Sequence, residues 1–495
     1  MNRKKKIAVN VFLTIVFVIQ CTVFITRIKA DTNTRTYDYA YDFWGVTMEA
    51  VPAFVLERTI DKGGTLSGIN ISGFDDVCSG GGRLFLVDSG ESRLIIMDEN
   101  FELITFVKLL YNVENRIALD EKGNQIMLTN PEGVFYHALT NEVFIADTGA
   151  ERILVLDGDK FFFKRIIGRP SNMTGVTKFE PSKIAVDYAN RIYIVVQSGF
   201  EGILELNEDG SFSRYFGVNK PKVNLLDYFW KIFSSNEQRE KMAKTFAPSF
   251  NNVAIDADGF VYATTYDANS RDMVFRLNPK GENVLIQSRE HPVEGDVERE
   301  IVTQFTAIAV NDYGVYALLD RSMGRIFIYN FYGEFMSVIN CPSGMKGSFT
   351  APAGIAWFGD QLVATDKQLR RAYVYTLTDF GRLALGSARH YYNGEWEASA
   401  RLMEMALHLN SNYDLAYSAI GKYYLMQEDY RKAMYYLKLG QNRSYYSKAF
   451  SHYRNQWIKD NFIWFALLFL VCTGTIIYTE VRYHMKGGEK DESSA

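Results

Sequence analysis

The feature that most constrains the fold is an internal repeat in the middle of the chain. Between residues 70 and 380, a pattern of apolar strand, short polar turn and second apolar strand occurs six times. The second strands of these units end at Asp88, Asp147, Val196, Thr264, Asp320 and Asp366. These positions are separated by 59, 49, 68, 56 and 46 residues, which fits one four-stranded propeller blade per unit with outer loops of variable length. The repeat predicts a six-bladed β-propeller in a chain that is mainly β with additional α.

The propeller should close into a ring, because an open array of twisted sheets would leave two exposed edges. Residues 31–69 form an aromatic-rich lead-in, and FVLERTI at 54–60 is the predicted closing strand, which pairs with the strand that ends near Leu377. Between the third and fourth units, residues 218–247 carry apolar side chains at spacings of three and four. This spacing predicts a helical insertion in the propeller.

Both ends of the chain carry apolar segments. Arg3 and the lysines that follow it precede an uncharged stretch at 7–25, so residues 1–30 are predicted to be a cleaved signal peptide or an N-terminal membrane anchor. An uncharged run at 462–478, with aromatic residues at both ends, predicts a transmembrane helix over 461–479 and a cytoplasmic tail over 480–495. Since the N-terminal lysines stay in the cytoplasm, the protein is expected in the cell membrane with the bulk of the chain on the extracytoplasmic side.

After residue 380 the apolar period becomes helical, and residues 381–460 contain a 34-residue repeat. This 34-residue pattern resembles tetratricopeptide repeats, in which small residues let paired helices approach closely. The residues expected to pack the helices are Trp396, Ala406, Tyr417, Gly421, Tyr424, Tyr430 and Ala433. The resemblance implies a groove that receives a protein partner.

Composition restricts the chemistry. With 54 Lys and Arg against 58 Asp and Glu, the formal net charge is -4, so no basic field favours a nucleic-acid partner. Cys78 and Cys341 allow one disulfide in the soluble body, and the body outside the helical repeat holds only His137 and His291. This is too few for a zinc site that needs about three facing ligands, and neither a cofactor nor a catalytic residue is predicted.

Calcium stays open because it binds oxygen ligands alone. Asp147 and Asp320, at the ends of second strands, are the candidate metal ligands. The alternative for these aspartates is hydrogen bonding of the blade turns, repeated because the blade repeats.

Two units carry a family resemblance. VDSGESRLIIMD at 87–98 and IADTGAERILVLD at 145–157 resemble NHL repeats. The order of exported propeller, short tetratricopeptide unit and C-terminal span, with the aromatic stretch at 37–45, resembles a group of bacterial membrane-anchored NHL-repeat proteins. Members are often encoded beside carbohydrate uptake transporters, so the resemblance implies an accessory of sugar uptake.

Two functions follow from this pattern. The first is a binding and scaffold protein, whose propeller takes a saccharide on a face of inter-blade loops where exposed aromatic side chains stack on the sugar. The alternative is a gluconolactonase-like hydrolase that depends on calcium. A cluster of carboxylates around one metal at the channel mouth would distinguish the enzyme from the binding protein.

Overall fold

The computed structural model of the chain describes residues 38–41, 47–173, 178–197, 202–217, 249–265, 272–285, 303–341 and 344–491, with the side chains of the last helix described to His484. The predicted N-terminal segment at 1–30 and the predicted helical insertion at 218–247 lie outside these residues. The chain divides into two compact units, of which the first ends at Glu395 and the second begins at Trp396.

Six antiparallel sheets, one per sequence repeat, build the propeller of the first unit. Blade 1 comprises β4 (Phe74–Gly80), β5 (Arg83–Asp88), β6 (Arg93–Met97) and β7 (Leu103–Val107). Blade 2 comprises β8 (Gly133–His137), β9 (Glu142–Asp147), β10 (Arg152–Asp157) and β11 (Phe163–Ile167). Blade 3 comprises β12 (Pro181–Val186), β13 (Ile192–Val196), β14 (Ile203–Leu206) and β15 (Phe212–Phe216).

The remaining blades follow the same order from the inner to the outer strand. Among the described residues, blade 4 comprises β16 (Asn252–Ile255), β17 (Val261–Thr264) and β18 (Val274–Leu277). Blade 5 comprises β19 (Phe305–Val310), β20 (Tyr316–Asp320), β21 (Arg325–Tyr329) and β22 (Phe335–Asn340). Blade 6 comprises β23 (Pro352–Phe358), β24 (Gln361–Asp366), β25 (Arg371–Leu377) and the N-terminal strand β3 (Phe54–Ile60).

The inner strands contact one another around a closed ring, in the order β4, β8, β12, β16, β19, β23 and back to β4. This order confirms the predicted six-bladed propeller. Two glycines permit the close approach of neighbouring inner strands. A Cβ at Gly133 would lie 2.2 Å from the carbonyl oxygen of Ser182, and one at Gly354 would lie 2.9 Å from the Cα of Asp76, so no side chain fits at either position.

The ring is closed by β3, as the sequence predicts. It runs antiparallel to β25, with Phe54 opposite Leu377 and Ile60 opposite Ala372. The apolar core lies between adjacent blades. Ile60 and Val374 of blade 6 pack with Leu86 of blade 1 in one buried cluster, and because both faces of these sheets are covered, the middle strands are continuous apolar runs rather than alternating ones.

The aromatic lead-in packs on the last two blades. The hairpin of β1 (Tyr39–Tyr41) and β2 (Thr47–Glu49) places the ring of Tyr41 5.3 Å from that of Phe335 in blade 5. Arg325 donates a hydrogen bond of 3.0 Å to the hydroxyl of Tyr39. Asp38 accepts a hydrogen bond of 2.9 Å from the backbone N–H of Ala53, so the lead-in is fixed immediately before the closing strand begins.

Helix α1 (Asp379–Tyr392) belongs to the first unit, although the sequence pattern groups it with the helical repeat at 381–460. It begins with Thr378 as N-cap, whose hydroxyl accepts a hydrogen bond of 3.0 Å from the N–H of Gly381. At its other end, the hydroxyl of Tyr392 donates to Asp258 of blade 4 at 2.6 Å, and its ring lies 5.4 Å from that of Phe331 in blade 5. The helix therefore packs on the propeller.

The second unit is a run of helices, each packed against the next up to α5. Its members are α2 (Trp396–Leu409), α3 (Asp414–Met426), α4 (Tyr430–Leu439), α5 (Arg443–Asp460) and α6 (Phe462–Asp491). Ala406 and Ala433 are completely buried. A Cβ at Gly421 would lie 2.6 Å from the Cγ of Leu437, so a small residue is needed where α3 meets α4.

The aromatic residues of the repeat make specific contacts within this unit. Tyr424 stacks on Tyr436 with ring centroids 5.5 Å apart, and Tyr430 stacks on His452 at the same distance. The hydroxyl of Tyr417 donates to the carbonyl of Ser411 at 3.0 Å, and Trp396, half-buried, begins α2. In α6, the segment Phe462–His484 has a mean hydropathy of 2.1 with none of it buried, and is long and apolar enough to cross a membrane.

Candidate functional site

Four of the inner strands begin with a β-bulge, an extra residue that is left out of the pairing with the second strand. The register shifts between Phe74 and Asp76 in blade 1, and at the corresponding point in blades 3, 5 and 6. The residues left out of the pairing are Asp75, Ser182 and Thr306 in blades 1, 3 and 5, and Ala353 with Gly354 in blade 6. Asp75, Ser182, Thr306 and Ala353 all line a single cavity, because the irregularity lies at the same place in each of these four blades.

A second set of cavity residues comes from the position directly after the second strand. Gln197, Arg321 and Lys367 occupy this position in blades 3, 5 and 6 and line the same cavity. Each of their backbone N–H groups donates to the carbonyl of the residue that precedes the inner strand of its own blade, at 3.0, 2.8 and 2.9 Å respectively. Their backbones are therefore fixed, while their side chains are exposed.

The cavity has a volume of about 490 Å³ and takes lining residues from all six blades. Blade 4 contributes Asn251, whose Nδ2 donates to the carbonyl of Phe305 at 2.7 Å. Its buried Oδ1 has no hydrogen-bond partner among the described residues. Exposed aromatic side chains, which the sequence predicts on the face of inter-blade loops, are not part of the described lining of this cavity. In the part of the lining that the structure describes, Phe250 is the single aromatic residue, and it is 5% exposed because it packs edge-to-face on Phe275.

An ion pair between blades 1 and 3 lies beside the cavity. The Nζ of Lys183 is 2.8 Å from the Oδ1 of Asp76, and the two side chains are only 12% and 11% exposed. The same ammonium group donates to the carbonyls of Asp75 at 3.1 Å and Glu132 at 3.2 Å. Burial raises the pKa of Asp76, and Lys183 acts in the opposite direction by favouring the ionised carboxylate. Because Glu132 belongs to blade 2, the ammonium group of Lys183 connects blades 1, 2 and 3.

Asp75, Glu132 and Lys367 are further charged residues of the lining. The Nζ of Lys367 pairs with the Oδ1 of Asp75, and the other carboxylate oxygen, Oδ2, accepts a hydrogen bond from the hydroxyl of Ser89. Glu132 accepts hydrogen bonds from the side-chain amides of Gln197 and of Asn130, the latter at 3.4 Å. Of these carboxylates, Asp75 is paired with a cation, whereas Glu132 is held by neutral amides.

Asp147 and Asp320, the candidate metal ligands, are completely buried at the ends of β9 and β20 and do not line the cavity. The carboxylate of Asp147 accepts from the N–H of Thr129 at 2.5 Å and from the Nε of Arg152 at 2.8 Å. Asp320 accepts from the N–H of Gln304 at 3.0 Å and from Arg325 at 2.8 Å. Each carboxylate therefore fixes a loop to the end of its own strand. This arrangement corresponds to hydrogen bonding of the blade turns, the alternative to metal binding for these two aspartates.

Within the described residues, no group of three or more His, Cys, Asp or Glu side chains is arranged to hold a metal ion. The Nδ1 of His137 lies 2.9 Å from the hydroxyl of Thr140, and burial lowers the pKa of this histidine. His291 is outside the described residues. Cys78 and Cys341 are free thiols, and burial raises the pKa of Cys341 to about 11.

Sequence reasoning did not select the cavity residues, although the repeat contains a signal for them. The position after the end of the second strand is polar or charged in every blade: it is occupied by Ser89, Thr148, Gln197, Thr265, Arg321 and Lys367. Blades 5 and 6 alone carry a cation there. A comparison of the six units at this position would have identified Arg321 and Lys367 as exceptions within the repeat.

No family model matches the chain, and no curated protein matches it. Among solved structures, it is similar to virginiamycin B lyase from Staphylococcus aureus, with 13% identity and a TM-score of 0.40 over 66% of this chain and 100% of that one. A streptogramin B lyase matches with 14% identity and a TM-score of 0.41 over 67% and 100% of the two chains. The β-propeller domain of Cps50 (Swd1) from Myceliophteria thermophila matches with 10% identity and a TM-score of 0.39 over 65% and 100%. None of these similarities assigns an activity.

Proposed function

We propose that this protein is a membrane-tethered binding protein whose propeller holds a saccharide in the cavity at the channel mouth. The observation that carries the proposal is the cavity itself, which has about 490 Å³ of space and a lining drawn from every blade. Pockets for small molecules typically occupy about 300–1,000 Å³. A cavity built from six separate sheets can present polar groups to a ligand from all sides.

The lining matches the hydrogen-bonding character of a sugar, whose hydroxyl groups both donate and accept. Ser182 and Thr306 offer hydroxyls, and Gln197 offers an amide. The bulges and the backbone hydrogen bonds after the second strands fix the main chain at these positions. Because the lining is ordered before binding, less conformational entropy is lost when a ligand enters.

The tether in this proposal is α6, with the propeller on the extracytoplasmic side of the membrane. The propeller is of the NHL type, and the helices of the second unit are a tetratricopeptide-like surface for a protein partner. Exposed apolar side chains on this unit, among them Met405 and Tyr435 at 54% and 62%, support a contact surface. By the resemblance to transporter-associated proteins, the partner would belong to a sugar uptake system, and deletion of the gene should then slow the uptake of the bound sugar.

Titration calorimetry of the full chain in detergent with a panel of mono- and oligosaccharides tests the binding function. Thr306→Trp places an indole in the cavity and should abolish binding. Thr105→Trp makes the same change on the outer strand β7 and should leave binding intact. Equal binding by both variants would place the site elsewhere. Hydrolysis of sugar lactones that requires calcium would instead establish the hydrolase alternative.

A further inference from the structure

A basic surface lies on the two helices that precede α6. Residues 430–459, which cover α4 and nearly all of α5, carry seven Lys and Arg and neither Asp nor Glu. All seven of these basic residues are exposed, and the one acidic residue of α5 is Asp460 at its end. In a chain whose acidic residues outnumber its basic ones by 58 to 54, this stretch is a local concentration of positive charge.

Two of the seven charges lack a partner in the part of the chain that the structure describes. Lys432 pairs with Asp429 at 3.1 Å, and the ammonium group of Lys448 lies 4.4 Å from the ring centre of Tyr445. Arg454 and Lys459, by contrast, form no ion pair and no side-chain hydrogen bond with any described residue. Both cations can therefore meet an anion from outside the protein.

The exposed face of α5 combines aromatic side chains with one of these cations. The helix packs on α4 through Ala449, which is completely buried, and through Tyr446. Phe450, Arg454 and Trp457 follow at intervals of four and three and so share a different face. The two aromatic residues of this face are 47% and 49% exposed. Aromatic side chains beside a cation on one helix face are typical of a helix at a membrane surface.

This end of α5 leads directly into the apolar helix. A single residue, Asn461, separates α5 from α6. The N–H of Phe465 donates to the carbonyl of Asn461 at 3.3 Å, and the rings of Trp457 and Phe465 lie 5.6 Å apart across the junction. The exposed face of α5 is therefore continuous with the segment that is long and apolar enough to cross a membrane.

The two unpaired cations lie at the depth of the lipid headgroups. With a rise of about 1.5 Å per residue, Lys459 is about 5 Å and Arg454 about 12 Å along the chain from the first residue of α6. The headgroup layer on each side of a bilayer is about 5–8 Å thick. Because long basic side chains extend the reach of their charge, both cations can contact this layer when α6 crosses the membrane.

We infer that the C-terminal half of α5 binds the headgroups of anionic lipids, with Arg454 and Lys459 as the contacts to phosphate and Trp457 in the interface. The inference rests on the membrane tether in the proposed function and is independent of the ligand of the cavity. A glycerol phosphate headgroup has a net negative charge, whereas the choline of a neutral lipid adds a cation beside its phosphate. The two unpaired cations therefore favour the anionic lipid.

The experiment measures lipid binding to the full chain in a nonionic detergent by microscale thermophoresis, with dioctanoylphosphatidylglycerol and dioctanoylphosphatidylcholine as probes. The anionic lipid should bind about fivefold more tightly for each cation that contacts it. Arg454→Gln combined with Lys459→Gln should make the two lipids bind nearly equally. Lys122→Gln combined with Lys160→Gln removes two exposed cations of the propeller that form no ion pair within the described ranges, and should keep the preference.

The outcomes separate this inference from the tether on which it rests. Equal binding of the two lipids by the unmodified chain, or a preference that survives the paired change in α5, would overturn the inference while the tether stands. Equal affinity for free glycerol 1-phosphate would overturn the lipid as the source of the anion. Release of the full chain from membranes by alkaline carbonate would overturn the tether and the inference together.

Discussion

The ion pair beside the cavity allows a quantitative test of how the ring is held together. In Lys183→Met, the ammonium group that bonds Asp76 at 2.8 Å and the carbonyls of Asp75 and Glu132 at 3.1 and 3.2 Å is removed. The methionine fills similar space, so the main loss is electrostatic. Both side chains of the pair are nearly buried, and breaking such a pair by removing one partner destabilises a protein by about 3–5 kcal/mol.

The assay is thermal unfolding of the full chain in detergent, followed by circular dichroism. For a large domain, each kcal/mol lowers Tm by about 2 °C, so Lys183→Met should lower Tm by about 6–10 °C. Burial already raises the pKa of Asp76, and Lys183 opposes this rise. In the variant the folded-state pKa of Asp76 lies higher still. As pH falls through that pKa, the carboxylate takes up a proton, and the difference in Tm from the unmodified protein should shrink.

Two variants serve as controls for this reasoning. Asp76→Asn combined with Lys183→Met removes both charges and should recover most of the lost stability, because no uncompensated buried charge remains. Arg382→Met breaks the exposed pair with Asp379 and should change the stability by less than about 1 kcal/mol. The reasoning would be refuted if Lys183→Met left Tm unchanged, or if its effect did not depend on pH.

The remaining predictions concern the ring itself. Deletion of residues 50–62 removes the closing strand β3 and should expose the edge of β25, so that limited proteolysis cuts the propeller faster; an unchanged cleavage rate would contradict closure by this strand. Gly133→Ala forces a Cβ to within 2.2 Å of the carbonyl of Ser182 and should destabilise the fold by about 1–3 kcal/mol. Gly168→Ala, where nothing lies within 4 Å of the added Cβ, should leave the free energy of unfolding nearly unchanged. Equal unfolding free energies for these two glycine variants would show that the inner strands do not pack as closely as described.

The repeat was sufficient to predict the propeller, because each blade is a local unit whose buried strands leave a contiguous apolar pattern in the sequence. Closure by β3 also followed from a general requirement, the removal of free sheet edges. The sequence was less informative about where the second, helical unit begins. The apolar spacing of α1 resembles that of the helices after it, yet Tyr392 and Gly381 pack it on the propeller, and no periodicity reveals which surface an amphipathic face will meet.

The cavity could not be predicted for a related reason. Asp147 and Asp320 stand out in the sequence because an Asp recurs at this position in four of the six units, and in blades 2 and 5 its carboxylate fixes a loop to the end of the strand. The residues that line the cavity differ between blades, and Asp75 and Thr306 face it only because a bulge shifts the register by one residue. Such a shift exchanges the two faces of a strand, and nothing in the alternation of apolar and polar residues marks where it occurs.

The central claim is that the cavity lined by all six blades is the binding site. Hydrogen exchange of the full chain, with and without a saturating concentration of the saccharide that binds in calorimetry, tests this claim most directly. The account predicts slower exchange of the amides at 304–307, 319–323 and 365–368, which border the cavity, and unchanged exchange on the outer strand at 103–107. Protection confined to other segments, with these three unchanged while the ligand is bound, would contradict it.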